Sequence, residues 1–91
     1  MNIKWSNKAI ADINLVFETL SLEDSDKALK VLKSLVEAPM QHQQQMRMGE
    51  RSDDFDDRDV RRMLIGEYEM RYELRNKEPF ILRVWHTLEA R

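Results

Sequence analysis

Apolar residues recur with helical spacing in the first half of the chain. They follow one another at steps of three and four over residues 7–20, which predicts a helix with one buried face. Ser6 stands directly before this segment and is a residue type that caps helix N-termini. A second helix is predicted over residues 25–38, where Pro39 is expected to end it. The apolar positions that define the two buried faces are Ile10, Ile13, Phe17 and Leu20, followed by Ala28, Leu32, Leu35 and Val36.

The spacing of apolar residues changes to two after residue 59. Over residues 67–75 apolar and charged residues alternate, which predicts a strand with one buried face. Strands are also predicted over residues 60–65 and 80–86, and the second of these is almost continuously apolar, as in a central strand. Gly66 and residues 76–79 supply the turns, so the three strands form an antiparallel meander. The apolar members of the alternating segment are Tyr68, Met70, Tyr72 and Leu74.

Together these elements predict an α+β fold in the order β-α-α-β-β-β. Ile3 and Trp5 predict a short N-terminal strand that joins the same small antiparallel sheet. The two helices form a hairpin, and each needs a surface to cover its apolar face, so we expect the hairpin to pack on one face of the sheet. A chain of 91 residues is too short for two useful cores, which predicts a single domain over residues 1–91.

Residues 41–59 show no clear period. Four glutamines at the start of this segment could extend the second helix or begin a loop. The five aspartates that follow are interpreted as a solvated loop, because they lack the glycine and the terminal glutamate of a calcium-binding EF-hand loop. No metal site is therefore predicted. The aspartates are Asp53, Asp54, Asp56, Asp57 and Asp59.

The amino-acid composition excludes several kinds of protein. The chain has no cysteine, which excludes a disulfide scaffold, a thiolate nucleophile and any cysteine-ligated metal, and fits a reducing compartment. No apolar run approaches the roughly 20 residues of a membrane span, and residues 1–8 lack the apolar stretch of a signal peptide. These features predict a cytoplasmic protein with no membrane contact and no cofactor.

The distribution of charge indicates that a recognition surface lies in the second half of the chain. The formal net charge is −2, whereas general nucleic-acid binders are usually basic. All nine arginines lie from Arg47 onward. Because the arginine side chain is suited to planar contact with phosphate or carboxylate, recognition is expected in this half. The alternative is that these arginines form ion pairs on the strands.

Three stretches resemble the RelE/ParE superfamily of toxins from bacterial type II toxin–antitoxin modules. The first is Ile3-Lys4-Trp5-Ser6 with Ala9, Asp12 and Ile13; the second is Val60-Arg61-Arg62-Met63-Leu64-Ile65 with Tyr68-Glu69-Met70-Arg71-Tyr72; the third is Ile81-Leu82-Arg83-Val84-Trp85-His86-Thr87. The resemblance covers nearly the whole chain except residues 41–59. It implies the same fold and a cognate antitoxin that wraps across the hairpin and the sheet, forming a toxin–antitoxin hetero-oligomer. Arg62 departs from the family pattern, which usually has a glutamate or a small residue there.

The resemblance implies two different targets. RelE-like members cut messenger RNA in the ribosomal A site, and ParE-like members inhibit DNA gyrase without established catalytic residues. RNA cleavage without a metal needs a base, cations that stabilise the phosphorane, and an acid. The sequence could offer Glu50 as the base, Arg61 and Arg83 as the cations, and His86 as the acid. The chain is thus an enzyme only under the RelE-like interpretation.

Strand geometry and charge favour the ParE-like interpretation. Arg83 and His86 fall on opposite faces of a regular strand, and a net charge of −2 with a run of aspartates opposes docking into dense phosphate. Structural alternatives are that Arg61 and Arg83 pair with carboxylates and that His86 packs at the sheet edge. Tyr68 and Tyr72 are expected in the core with their hydroxyls reaching water. An inactive binding module of the same fold is a third possibility.

Overall fold

The computed structural model describes residues 2–48, 50–51 and 58–89, without the side chains of residues 50 and 51. It confirms the predicted α+β fold, in which two N-terminal helices precede a run of C-terminal strands. The elements in chain order are β1 (Lys4–Trp5), α1 (Asn7–Ser21), α2 (Ser25–Gln41), α3 (Gln43–Arg47), β2 (Glu50–Arg51), β3 (Val60–Ile65), β4 (Tyr68–Arg75) and β5 (Glu78–His86).

The described strands form one five-stranded sheet in the order β1-β5-β4-β3-β2. The predicted meander of β3, β4 and β5 is confirmed, and β1 pairs with β5 in parallel. Gly66 forms the first turn with a φ of 58°. Asn76 and Lys77 form the second turn, both with positive φ, as in the two-residue hairpin turns that match the twist of the strands. The prediction that Pro79 lies in this turn is wrong, because Pro79 is buried in β5.

Side-chain caps fix the starts of both long helices. The Ser6 hydroxyl accepts the Ala9 N–H at 2.9 Å and donates to the Leu82 carbonyl at 2.8 Å, so it caps α1 and also attaches that helix to β5. The Asp24 carboxylate caps α2 by accepting the Lys27 N–H at 3.1 Å. The Ser6 cap agrees with the sequence prediction.

The prediction that Pro39 ends α2 near residue 38 is wrong. The helix continues to Gln41, and the His42 N–H donates to the Ala38 carbonyl at 2.9 Å. A proline removes one backbone donor from a helix and its ring crowds the carbonyl four residues earlier, but here Ala38 and Pro39 are both buried. Packing of this last turn therefore holds the helix together through the proline.

The glutamine segment is helical. Residues 43–47 form α3, and Met46 on this short helix is fully buried. The two-residue strand β2, which the sequence did not predict, follows it and pairs with β3. Of the aspartates interpreted as a solvated loop, those at 53–57 lie outside the described residues, so the loop stays a prediction there. Asp59 is described and pairs with Arg61.

The buried face of α1 is rotated from the one predicted. Ala9 and Asp12 are buried and Ile13 packs against the core, but Ile10 is 43% exposed. Alanine lets the helix approach the sheet closely, so Ala9 lies at the centre of the contact. Apolar residues cover a wider part of the α1 surface than the part that contacts the sheet, so Ile10 lies outside the core.

The same rotation occurs in α2. Ala28, Leu35 and Ala38 are buried, whereas Val36 is 46% exposed. Leu32 is only half-buried and lies outside the core cluster, contrary to the prediction. From the sheet, the helix-facing side chains that complete the core are Met70, Tyr72, Ile81 and Val84, with Tyr68 at its margin.

Candidate functional site

Arg83 is held by a buried carboxylate. Its Nε and one terminal nitrogen donate to the two oxygens of Asp12 at 2.8 and 3.0 Å, and Asp12 also accepts the Val84 N–H at 2.9 Å. Asp12 therefore lies at the edge of β5, where it satisfies a backbone donor and fastens α1 to the strand. The hydrogen bonds that Arg83 donates to Asp12 are the main reason that the pKa of Arg83 is raised.

Arg61 and Tyr72 hold the end of α3. The Arg61 Nε donates to Asp59 at 2.9 Å, and another guanidinium nitrogen donates to the Arg47 carbonyl. The Tyr72 hydroxyl donates to the neighbouring carbonyl of Met46. Two consecutive carbonyls of a short helix are thereby bound to the sheet.

The prediction that the Tyr72 hydroxyl reaches water is wrong. Tyr72 is fully buried because α3 covers this part of β4. Its hydroxyl therefore donates a hydrogen bond to α3 instead of to water. Burial raises the pKa of Tyr72 to about 12, with Arg61 acting in the opposite direction. The sequence could not show this, because the partner carbonyl belongs to a segment without a clear period.

His86 is the last residue of β5, and its side chain takes part in the turn that follows the strand. Its Nδ1 accepts the Leu88 N–H at 3.1 Å, and its Nε2 lies 3.6 Å from a carboxylate oxygen of Glu67. The imidazole meets the Tyr68 ring edge-on, with 5.2 Å between the ring centroids. These contacts correspond to the structural alternative for this histidine.

The four catalytic candidates do not form one cluster, although Asp12, which binds Arg83, lines the same cavity as His86. Arg83 lies opposite Arg71 in the β4–β5 register and His86 opposite Tyr68, so the two fall on opposite faces of the sheet. Arg61 makes its contacts with α3 at the other side of the meander. The backbone of Glu50 pairs with β3, and its side chain lies outside the description. A catalytic role for these four residues stays a prediction.

Arginines on the side of the sheet that faces away from the helices form ion pairs with carboxylates of the strands, as the alternative interpretation of the sequence predicts. Glu73 accepts from Arg58 at 3.1 and 2.9 Å and from Arg75 at 2.9 Å. Arg71 pairs with Glu69 at 3.0 Å and lies over the Trp85 ring, 5.2 Å from its centroid. Arginine is thus used along these strands for ion pairs and aromatic contacts within the chain.

Glu73 should make the stability of the fold depend on pH. Hydrogen bonding from Arg58 is the main reason that the pKa of this buried carboxyl is lowered, against the opposing effect of burial. A carboxyl whose folded pKa is depressed stabilises the fold above its unfolded pKa, near 4.5, and loses that effect as pH falls through the folded pKa. We therefore expect Glu73→Gln to lower the free energy of unfolding by about 1–3 kcal/mol at pH 6, and clearly less at pH 3.

The measurement is urea denaturation at both pH values, with Glu18→Gln on the exposed side of α1 as the control. A difference between wild type and Glu73→Gln that is the same at pH 6 and pH 3 would contradict the assignment.

Two apolar grooves flank Tyr68 at one end of the sheet. The α1 groove, a cavity of about 320 Å³, lies between α1 and the ends of β4 and β5. The α2 groove, of about 310 Å³, lies between α2 and the β3–β4 turn. Tyr68 lines both. The other residues of the α1 groove are Asp12, Leu15, Val16, Thr19, Leu20, Val84, His86 and Glu89, and those of the α2 groove are Lys30, Val31, Ser34, Leu35, Ile65, Gly66 and Glu67.

Sequence reasoning missed these grooves, although one signal for them was present. Leu15 lies outside the predicted buried face of α1 and is 59% exposed. An apolar residue on the polar side of an amphipathic helix is a weak sign of a contact with another molecule. Single exposed apolar residues are common, however, and only the fold brings Leu15 together with Tyr68.

The described part of the chain contains neither a metal-binding cluster nor a membrane-spanning helix. Among residues 2–48, 50–51 and 58–89, no three histidine, aspartate or glutamate side chains are grouped so that they could hold a metal ion. The helices of these ranges include none with the length and apolar character needed to cross a membrane.

Comparison with known proteins identifies a family. The sequence model described as the ParE toxin of the type II toxin–antitoxin system, parDE, matches residues 3–91. Among nine matching chains of solved structures is one from the chromosomal ParDE toxin–antitoxin system of P. aeruginosa. It is 27% identical, with a TM-score of 0.75, and the match covers 94% of this chain and 95% of that one. No curated protein matches.

Proposed function

Because the chain belongs to the ParE toxin family of type II toxin–antitoxin systems, we propose that it inhibits DNA gyrase by protein–protein binding and that a cognate antitoxin neutralises it in the cytoplasm. The P. aeruginosa neighbour is described as a ParDE system, which supports an antitoxin as partner. Gyrase as the target follows from the ParE-like side of the superfamily.

One observation carries the choice of a binding protein over a ribonuclease. Arg61 and Arg83, the two cations that RNA cleavage would need, are each bound by a carboxylate of the same chain, at 2.9 and 2.8 Å. A guanidinium that stabilises a phosphorane must direct its donors at the phosphate in the transition state. Here each guanidinium already directs part of its N–H donors at a carboxylate of the same chain, so fewer of them can be directed at a phosphate.

The surface of the helical hairpin supports a function through binding. Leu22 at its tip is 88% exposed, and Leu29 and Met40 on α2 are more than half exposed. Exposed apolar side chains and apolar grooves are features of surfaces that bind other proteins. A net charge of −2 is compatible with a protein partner.

A ribosome-dependent mRNA endonuclease is the second candidate, and one cavity favours it. Arg47, Arg61 and Lys77 line a cavity of about 380 Å³ beside Asp59 and Leu74. Three cations around one cavity could hold a phosphate. The cavity lies at the end of the sheet away from His86, so it would supply the cations without the predicted acid.

The experiment that separates the two functions compares purified toxin with gyrase and supercoiling substrate, and with ribosomes translating a defined mRNA. We expect inhibition of supercoiling and intact mRNA. We expect His86→Ala and Arg61→Ala to change inhibition only by the amounts usual for contacts or stability.

The opposite result would be cleavage of mRNA on the ribosome by the wild type. A loss of that cleavage by about a hundredfold in a His86→Ala protein with an unchanged melting temperature would establish the endonuclease and exclude the proposal. Binding of the cognate antitoxin is measured in parallel, because it is expected under both functions.

A further inference from the structure

We propose that His86 is a pH-sensitive switch for the turn at the end of β5, which the neutral imidazole closes and the imidazolium opens. The turn consists of residues 86–89. This inference goes beyond the proposed function and does not depend on it. It follows from the atoms that the two ring nitrogens face.

The closed turn uses one ring nitrogen as an acceptor. The His86 Nδ1 accepts the Leu88 N–H at 3.1 Å. Asparagine and aspartate side chains make the same contact, to the N–H two residues on, in Asx turns. A ring nitrogen accepts only when it carries no proton, so the proton of the neutral ring is on Nε2. Two backbone hydrogen bonds complete the turn, from the Glu89 N–H to the His86 carbonyl and from the Thr87 N–H to the Glu67 carbonyl, both at 2.9 Å.

Protonation converts this acceptor into a donor. Both nitrogens of an imidazolium carry a proton, so an Nδ1–H would then face the Leu88 N–H. Turning the ring over cannot restore the contact, because Nε2 is a donor as well. Leu88 is 89% exposed, so its released N–H can turn to water. Since histidine ordinarily changes its charge between about pH 5 and pH 8, we expect the turn to be closed at the upper end of this range and open at the lower end.

The groups that face the imidazole favour movement of the turn over movement of the ring. From the β3–β4 turn, a carboxylate oxygen of Glu67 lies 3.6 Å from Nε2, and from β4 the Tyr68 ring meets the imidazole edge-on. Glu89, within the turn, accepts the backbone N–H of the histidine at 3.4 Å. From α1, Asp12 lines the same cavity with its charge balanced by Arg83. A positive ring is attracted to Glu67, so the ring stays at the sheet and the turn moves.

Opening of the turn changes the wall of the α1 groove. Glu89 and His86 line this groove together. In the closed turn the backbone of Glu89 is fixed by its bond to the His86 carbonyl, and Leu88 before it is fixed by Nδ1. Release of Leu88 frees this part of the wall, so the shape and charge of the groove depend on pH.

The test is nuclear magnetic resonance of the full chain, labelled with ¹⁵N, at both ends of the pH range. Long-range correlations between ring nitrogens and ring protons identify the protonated nitrogens of His86, and ¹⁵N relaxation gives the backbone order parameter of Leu88. We expect an unprotonated Nδ1 and a Leu88 order parameter of about 0.85 near pH 8. Near pH 5 we expect both nitrogens protonated and an order parameter below about 0.6.

Two substitutions at the same position separate the acceptor from the charge. His86→Asn supplies an amide oxygen that accepts the Leu88 N–H and does not titrate, so the turn should stay closed at both pH values. His86→Ala supplies no acceptor, so the turn should be open at both. His42→Ala, which removes the exposed histidine at the end of α2, is the control and should leave the pH response of Leu88 unchanged.

Three results would overturn the inference. The first is a wild-type Leu88 order parameter that is the same near pH 8 and near pH 5, and the second is a proton on Nδ1 near pH 8. The third is a fall near pH 5 that includes the buried Tyr72, because the whole fold would then be loosening. A fall confined to the turn, present in the wild type and absent in His86→Asn, supports the switch.

Discussion

Replacing Leu35 by alanine is expected to lower the free energy of unfolding by about 3 kcal/mol. Leu35 is 1% exposed and belongs to the core cluster beneath the hairpin. Truncating a buried leucine loses its transfer free energy and leaves a cavity, which together cost about 2–5 kcal/mol. A chain of this size has a total stability of roughly 5–13 kcal/mol, so this single change removes a large part of it.

Leu32 provides a matched control for this prediction, because it is the same residue type on the same helix. The sequence pattern predicted it in the core, but it is half-buried and outside the core cluster. We expect Leu32→Ala to cost about 1 kcal/mol, in proportion to the smaller apolar area that it removes from water. Urea denaturation of both variants measures the difference. Equal losses would mean that the helix faces the sheet as the sequence pattern first indicated. Ile13→Ala, at a position that packs on the core from α1, should fall between the two.

Replacing Asp12 by alanine is expected to cost about 2–4 kcal/mol. The change removes both hydrogen bonds to Arg83 and leaves the buried Val84 N–H without its acceptor. Breaking a buried ion pair typically costs 3–5 kcal/mol. The expected value here is lower because the Arg83 side chain is 34% exposed and can regain water.

Two variants separate the contributions at Asp12. Asp12→Asn keeps an acceptor for the Val84 N–H and should recover part of the loss. Glu18→Ala, on an exposed side of α1, should change stability by less than about 0.5 kcal/mol. Thermal and urea unfolding give the comparison. A loss in Asp12→Ala no larger than in Glu18→Ala would show that α1 does not depend on this attachment to β5.

Local sequence patterns predicted the elements of this fold well. The change of apolar spacing after residue 59 located the meander, and Ser6 located the start of α1, because both signals depend on neighbours in the chain. Strand parity also predicted correctly that Arg83 and His86 would lie on opposite faces. The stretches that resemble the RelE/ParE superfamily are carried by these same elements.

The features that the patterns missed depend on distant partners. Asp12 is a charged residue in an amphipathic helix, and nothing nearby indicates that its partner lies 71 residues later. Pro39 would end a helix in isolation, but burial of the last turn overrides that preference. The strand β2 has two residues, too few to show a period. The grooves could not be predicted because they depend on how α1, α2 and the strands are placed around Tyr68, and only the folded structure shows that.

The pairing of β1 with β5 joins segments that are far apart in the sequence. The Ser6 hydroxyl and the Leu82 carbonyl that it contacts are 76 residues apart in a chain of 91. Contacts over such separations require closure of nearly the whole chain, which slows folding relative to domains built from local contacts. During synthesis the sheet therefore cannot be completed until β5 has left the ribosome. A newly made chain therefore passes through an interval in which α1 and α2 have been synthesised and the sheet that they pack on is still incomplete.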